Sequence, residues 1–288
     1  RSNKILRLGF QQILKRLPFN IRPLLKINKG YNPVTLGLCI QAYTYLSVVF
    51  KERKNDYLRE IDFLLDELEK VSSKGYSGIC WGYDFDWEAR YAKIPAHTPT
   101  IVATGIITNS LFVSFKILGI ARMLEICKSA TQFVTKDLKR IYEGDSFCWS
   151  YSPHDVQIVY NATMKGARLL AQVYSVEKDE KLLETGRKAV NFVTRNQNVN
   201  GSWGYAKGDT RNWSDSFHTG YVLDCLDEFM DLTGIYEYND VLAKGTSYFI
   251  ENFFLKEANE FDNIVIPKYY DNEIYPIDCT SAAQSILS

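Results

Sequence analysis

Three loops that share one short pattern restrict the fold of this 288-residue chain more than any other sequence feature. Each contains a tryptophan followed two residues later by a tyrosine: Trp81-Gly-Tyr83, Trp149-Ser-Tyr151 and Trp203-Gly-Tyr205. The tryptophans are 68 and 54 residues apart, and Lys268-Tyr-Tyr270 follows at a similar interval. A repeated pair of helices that cannot bury its apolar face alone must stack on its neighbours. The repeat therefore predicts stacked helical hairpins.

Apolar residues at helical spacing predict nine helices after residue 30. We place them near residues 33–51, 55–72, 99–117, 119–142, 157–174, 178–197, 217–233, 238–255 and 279–288. The odd-numbered helices are poor in charge, whereas the even-numbered ones hold runs such as Glu177-Lys-Asp-Glu-Lys181. This alternation predicts an all-α fold, an (α/α) toroid of helical hairpins with an apolar inner ring and a solvated outer ring. The Trp-x-Tyr loops then meet at one mouth.

Residues 1–29 differ in composition from the predicted toroid domain, residues 30–288. Residues 1–26 hold seven Lys and Arg and no acid. Residues 3–17 predict an amphipathic helix, and Pro18 ends it. Its apolar face holds Leu6, Phe10, Ile13, Leu14 and Leu17. Two interpretations stay open. The helix packs on the toroid, or it makes a peripheral contact with an anionic membrane surface.

Charge and cysteine content limit the class of protein. The 34 Lys and Arg are balanced by 34 Asp and Glu, whereas a nucleic-acid-binding domain usually has a basic excess. Six cysteines are scattered without the close pairs of a zinc site, so we predict no metal, no cofactor and a reducing, cytoplasmic location. The sequence contains no run of 18 apolar residues, so it predicts no membrane-spanning helix. The sequence begins at Arg1 rather than Met, which leaves room for a segment upstream.

The loop from residue 197 to residue 221 is the densest in aromatic and titratable side chains, and it joins two apolar helices. Such a loop suits a binding site better than a connector. Asp215 precedes the second helix, where it can cap the helix or orient His218 as a general base. We predict His218 and Asp215 as catalytic residues, with Tyr221 or Tyr205 as a proton donor.

Paired carboxylates follow the first Trp-x-Tyr loop. Asp84 and Asp86 lie beside Trp87, and two acids next to an aromatic platform suit glycoside chemistry. A loop salt bridge with Arg90 is the alternative. Arg90 and Arg211 are the predicted partners of a carboxylate or phosphate on a substrate.

Corresponding positions of the repeats supply further predicted substrate-binding residues. His154 precedes the predicted fifth helix, and Asn161 lies one turn inside it. Their positions correspond to that of His218 at the start of the seventh helix. Aromatic rings at the mouth would stack on sugar rings, although tryptophans can instead wedge hairpins together. The predicted aromatic set is Trp81, Tyr83, Trp87, Tyr151, Tyr205, Trp213 and Tyr270.

One segment resembles the QW motif of triterpene cyclases. It runs from Phe192 through Gln197 to Trp203. In that family the glutamine stacks on the tryptophan and ties a helix end to the following turn. The resemblance implies a structural role for Gln197 and an α/α toroid of the terpenoid-cyclase type.

Two other segments, Asn212–Tyr221 and Tyr275–Gln284, resemble six-hairpin glycosidase-like proteins, including uncharacterised bacterial proteins of surface-polysaccharide gene clusters. The resemblance extends from about residue 30 onward, and it adds Asp278 to the substrate-binding residues. It implies a carbohydrate-active enzyme, a hydrolase, lyase or epimerase, acting on an anionic sugar by general acid/base chemistry. An isoprenoid-handling toroid and a non-catalytic scaffold of polysaccharide biosynthesis remain as alternatives. A full ring has twelve helices and the sequence predicts nine, so we expect either that the chain is a fragment or that the final hairpins are absent.

Overall fold

The protein was examined as a computed structural model, which describes residues 4–27, 29–88, 93–208, 210–257 and 264–288. Ten α-helices are present in these residues: α1 Lys4–Arg16, α2 Pro33–Val49, α3 Lys54–Lys70, α4 Ile101–Leu118, α5 Ala121–Lys136, α6 Tyr160–Glu177, α7 Glu180–Arg195, α8 Ser216–Thr233, α9 Asn239–Asn252 and α10 Cys279–Leu287. Helices α2 to α10 correspond to the nine that the sequence predicts.

The helices form two concentric layers, which confirms the predicted α/α toroid. Helices α2, α4, α6, α8 and α10 pack side by side in that order and form the inner layer. Helices α3, α5, α7 and α9 each pack against the inner helix that precedes them. The inner helices are apolar because they meet neighbours on most sides, whereas the outer helices keep a solvated face. Within the described residues, α10 and α2 do not pack against each other as neighbouring inner helices do.

Four short two-stranded antiparallel sheets lie in the loops. Their strands are β1 Trp87–Glu88 with β2 Lys93–Ile94, β3 Arg140–Glu143 with β4 Ser146–Trp149, β5 Ile158–Val159 with β6 Ala206–Lys207, and β7 Phe254–Glu257 with β8 Ile264–Pro267. The predicted helix through residue 142 is therefore wrong beyond Lys136. Gly144, with φ of 58°, makes the tight turn that lets β3 pair with the fully buried β4.

Tryptophans of the repeated loops tie outer helices to the core. The Trp81 indole N–H donates to the Leu68 carbonyl at 2.8 Å, near the end of α3. The Trp203 indole N–H donates to Val193 at 2.9 Å, near the end of α7. Both rings are buried, so these tryptophans are wedges between hairpins.

The Gln197 side chain acts as the staple that the QW resemblance implies. Its amide donates to the Gly201 carbonyl at 3.0 Å and to the Val241 carbonyl at 2.9 Å. The first bond closes the turn after α7, and the second ties that turn to α9. Gly201 has φ of 90°, and an added Cβ would lie 2.4 Å from the Lys244 carbonyl oxygen, so glycine is required there.

Helix α4 is the one described helix that is long and apolar enough to cross a membrane by length and composition. More than half of its span is buried inside the protein. It packs against α2, α5 and α6, as expected of an inner helix of the toroid.

Helix α1 contacts the toroid through charge rather than through its apolar face. The Arg7 guanidinium makes a bidentate salt bridge with Glu88, with both N–O distances 2.6 Å. Leu6, Phe10 and Ile13 are 69%, 53% and 59% exposed. These three side chains of the apolar face are therefore open to their surroundings, whereas Leu14 and Leu17 are half-buried.

Candidate active site at the toroid mouth

Tyrosines of the three Trp-x-Tyr loops converge at the mouth of the toroid. Burial raises the pKa of Tyr151, and the nearby Tyr205 and Tyr83 raise it further. Burial also raises the pKa of Tyr221 to about 12, with a contribution from Tyr83. Four phenols from separate elements are thus near one another, and burial raises the pKa of Tyr83 as it does for Tyr151 and Tyr221. This confirms the prediction that the loops gather at one mouth.

His218 lies in the first turn of α8, and Asp215 is the N-cap of that helix. The Asp215 carboxylate is fully buried; it accepts the His218 backbone N–H at 2.8 Å and the Trp213 indole N–H at 3.1 Å. Nδ1 of the His218 ring lies 2.7 Å from Asp215 Oδ1. Because a carboxylate can only accept, Nδ1 carries the proton and Nε2 is the basic nitrogen. Asp215 therefore combines the capping and orienting roles.

Tyr205 fixes the other side of the imidazole. Its ring stacks on Trp213 with centroids 5.1 Å apart and meets the His218 ring edge-on at 4.6 Å. Such aromatic pairs restrict side-chain motion. The loop therefore holds a histidine whose position and tautomer are both set by its neighbours.

Asn161, in the first turn of α6, is brought to the same place. It lines a narrow cavity together with Tyr205, Asp215 and His218. Asn161 is 3% exposed, and its Oδ1 has no hydrogen-bond partner. A buried acceptor without a partner at the floor of a site is suited to a ligand hydroxyl group.

A wide cleft of about 780 Å³ opens beside these residues. Its walls include Arg211, His154 and Lys207. Arg211 is buried and donates to Gln157 Oε1 at 2.6 Å, with its guanidinium 5.6 Å from the centroid of the Tyr205 ring. His154 is exposed on the cleft wall. The cleft is large enough for a saccharide and is bordered by cationic groups.

Trp87 is placed quite differently from Trp81. Trp87 is half-buried and lines a small aromatic cavity with Tyr83, Phe85 and Tyr151. Trp81 has no exposed surface. Of these two rings, that of Trp81 therefore belongs to the core and that of Trp87 offers a face to a ligand.

The carboxylates predicted beside Trp87 are not brought to His218. Asp84 lines a separate cavity with Tyr31 and His97. Asp86 accepts the Ala96 backbone N–H at 3.0 Å and pairs with Lys93 at 3.1 Å, and these contacts lower its pKa. Arg90 lies outside the described residues. A catalytic role for either acid stays a prediction.

The last repeat contributes Tyr270 and Asp278 near α8. Tyr270 forms an isolated β-bridge with Asp215. Asp278 caps α10 by accepting the Ser281 backbone N–H at 2.8 Å. Tyr269, which the sequence analysis did not select, is close to Asp215 and to Tyr205, and burial is the main cause of its raised pKa.

Sequence reasoning also missed Lys165 and Arg168 of α6, which are 0% and 5% exposed. A signal for them exists in the sequence. Asn161, Lys165, Arg168 and Gln172 recur at helical spacing on a helix that is otherwise apolar. A polar stripe on an inner helix of a toroid must face a neighbouring inner helix or the axis. In the described residues, no group of three His, Cys, Asp or Glu side chains is arranged to hold a metal ion.

Solved structures share this fold. The chain is similar to a family 76 glycoside hydrolase from a bovine Bacteroides thetaiotaomicron strain, with TM-score 0.66 and 12% identity over 84% of this chain and 54% of that one. It is also similar to the cellobiose 2-epimerase of Spirochaeta thermophila, with TM-score 0.64 and 12% identity over 88% and 68% of the two chains. It is similar as well to the cellobiose 2-epimerase of Bacillus thermoamylovorans, with TM-score 0.63 and 10% identity over 83% of this chain and 63% of that one.

These likenesses establish the α/α-toroid fold, as the sequence resemblance implies. The chain spans about half to two thirds of the length of these structures. No family model and no curated protein matches the chain. The resemblance to proteins of surface-polysaccharide gene clusters stays a prediction.

Proposed function

We propose that this protein is an enzyme that acts on a carbohydrate by general acid/base proton transfer at the toroid mouth. The supporting observation is the His218 imidazole, whose Nδ1 is held by buried Asp215 so that Nε2 can accept a proton. Tyr205 and Tyr221 supply hydroxyl groups nearby, and burial raises the pKa of Tyr221 to about 12. The fold is shared with a glycoside hydrolase and with cellobiose 2-epimerases, which supports a sugar as the substrate.

The site favours epimerisation or elimination over hydrolysis. Glycoside hydrolysis commonly uses two carboxyl groups that flank the scissile bond. Among the described residues, Asp215 is enclosed by its donors and Asp86 is engaged by Ala96 and Lys93. A single histidine base with tyrosine donors instead suits removal of a proton from the carbon next to a carbonyl or carboxylate.

Proton abstraction predicts exchange with solvent. In D2O, we expect the protein to incorporate deuterium at the carbon next to the carbonyl or carboxylate of its sugar substrate. Proton NMR of a panel of neutral aldoses, disaccharides and uronic acids would detect this as loss of one C–H signal. Heat-inactivated protein is the control.

Two results would contradict the proposal. Stabilisation only by isoprenyl diphosphates in a thermal-shift screen would favour the isoprenoid toroid. Absence of turnover and of stabilisation by every sugar tested would favour the non-catalytic scaffold.

We further propose that residues 4–27 rest on an anionic membrane surface. Exposed apolar residues continue past α1 with Phe19 and Leu24, at 65% and 82% exposure. The segment carries six Lys and Arg and no acid. An apolar face flanked by basic side chains is the pattern of an interfacial helix. In the cytoplasm, which the cysteine content predicts, the inner leaflet would supply the anionic lipid.

Vesicle flotation tests this contact. We expect binding to vesicles of phosphatidylcholine with phosphatidylglycerol, and at least tenfold weaker binding to phosphatidylcholine alone or in 0.5 M salt. The triple variant L6S/F10S/I13S should lose binding because it removes the apolar face. V199S/I250S, at exposed apolar sites of the toroid, is the matched control. Equal flotation of the triple variant and the wild type would exclude this segment as the contact.

A further inference from the structure

The stripe of polar residues on α6 carries an unusual number of unsatisfied groups. Five buried side-chain polar atoms of the described residues have no hydrogen-bond partner. Three of them belong to this stripe: Asn161 Oδ1, Lys165 Nζ and Gln172 Oε1. Buried polar groups are almost always paired, because an unpaired one costs free energy. Asn161 and Lys165 are one helical turn apart near the start of α6, so one ligand at the mouth could complete the bonding of both.

Lys165 is the basic side chain of the stripe whose buried amine has no hydrogen-bond partner. Its side chain is fully buried, and its Nζ lies 2.8 Å from the centroid of the Tyr221 ring on α8. On the other side, α4 approaches so closely that a Cβ on Gly105 would lie 2.7 Å from Lys165 Cβ. The stem of the lysine therefore lies between α4 and α8. Its amine contacts the face of the Tyr221 ring.

The acidic groups nearest to Lys165 have other partners. Glu228 pairs with Arg168 at 3.6 Å, and Asp224 accepts a hydrogen bond from Gln284. No ion pair to Lys165 is present in the part of the chain that the structure describes. The α4 residue in contact with the lysine, Gly105, carries no charge.

Burial lowers the pKa of Lys165 well below its ordinary value, and the positive charge of Arg168 adds to this effect. Cys225 and Asp224, both on α8, act in the opposite direction. An amine held this way loses its proton more readily than an exposed lysine. An anion placed beside it would favour the charged form again.

We propose that Lys165, with Asn161 and Tyr221, forms a subsite for the carboxylate or phosphate group of a sugar ligand. This inference rests on the proposed carbohydrate function and specifies the substrate class. The half-buried Tyr221 ring covers the amine, and its rotation towards the mouth uncovers Nζ for the anion. The amine takes up a proton as the anion binds, and Asn161 Oδ1 accepts a hydrogen bond from a sugar hydroxyl.

Isothermal titration calorimetry tests the subsite by measuring the number of protons that the complex takes up on ligand binding. Glucuronate, glucose 6-phosphate and glucose are titrated into the full chain at pH 8 in HEPES and in Tris, whose heats of ionisation differ. We expect uptake of up to one proton with glucuronate or glucose 6-phosphate, and none with glucose. The acidic ligand that shows the uptake identifies the group. The affinity for that ligand should fall as the pH rises, because its binding requires the proton.

Lys165→Met should weaken binding of the acidic ligand by about ten- to hundredfold, the range for a hydrogen bond to a charged group. Glucose binding should change less than twofold. Without ligand, the variant should unfold at the same or a higher temperature, because it removes an unpartnered buried amine. Lys188→Met, on the exposed face of α7, is the matched control and should change none of these values.

Two outcomes would overturn the subsite. In one, Lys165→Met binds the acidic ligands as the wild type does and unfolds at a lower temperature, which makes the lysine structural. In the other, the wild type binds acidic ligands without proton uptake. If glucose binds while acidic ligands bind no better, the carbohydrate proposal survives and the subsite fails. If no sugar binds, both fail.

Discussion

Replacement of His218 by glutamine is expected to lower kcat by about 10²–10⁴-fold, the range that a positioned general base contributes. Glutamine retains polarity and approximate size, but it cannot cycle a proton. Asp215 would still cap α8 through the backbone N–H of residue 218, so the fold should persist. The deuterium-exchange assay measures the loss, and circular dichroism checks the helix content.

His97→Gln is the matched control for this prediction, because His97 lines a separate cavity with Asp84. It should keep the wild-type rate. Full activity of His218→Gln would remove the histidine from the mechanism. Loss of activity together with loss of helix content would show that the imidazole is needed for folding instead.

The paired variants Trp81→Ala and Trp87→Ala should separate stability from binding. Trp81 is fully buried and bonded to Leu68, so its truncation should lower the free energy of unfolding by about 3–5 kcal/mol. Trp87 is half-buried at the mouth, so its truncation should cost less than about 1 kcal/mol. The same variant should weaken sugar binding by about three- to tenfold, the value of one aromatic contact.

Urea denaturation and ligand titration on the two variants measure both effects. A Trp87→Ala variant that binds sugar normally would place the ligand elsewhere in the mouth. A Trp81→Ala variant as stable as the wild type would contradict the wedge role of the first repeated tryptophan.

The layered fold was predictable because the two layers have different compositions. An inner helix such as α4 has neighbours on most sides and therefore carries almost no charge, whereas α7 keeps a charged outer face. The β3–β4 hairpin was not predictable in the same way. Residues 140–143 continue the helical pattern of α5, and their strand state depends on pairing with β4.

The candidate site was only partly predictable. His218 and Asp215 follow from loop density and helix-capping chemistry. The sequence does not distinguish Trp81 from Tyr83, because both are aromatic residues of one loop. The difference in their burial depends on the bond from the Trp81 indole N–H to the Leu68 carbonyl, which the sequence does not show. Lys165 was missed because a polar stripe on a helix resembles a solvated face until its neighbours, Gly105 of α4 and Tyr221 of α8, are located.

Capping at the mouth has a consequence for the electric field there. Helices α4 and α6 begin at this opening, after the Thr100 cap and at Tyr160, with no acid in their first turns, whereas the Asp215 carboxylate offsets the dipole of α8. Each helix N-terminus carries about half a positive charge from its peptide dipoles. These dipoles do not titrate, and side-chain substitutions do not remove them. An approaching anion is therefore attracted over several ångströms whatever the pH, and its association rate should decline as ionic strength rises.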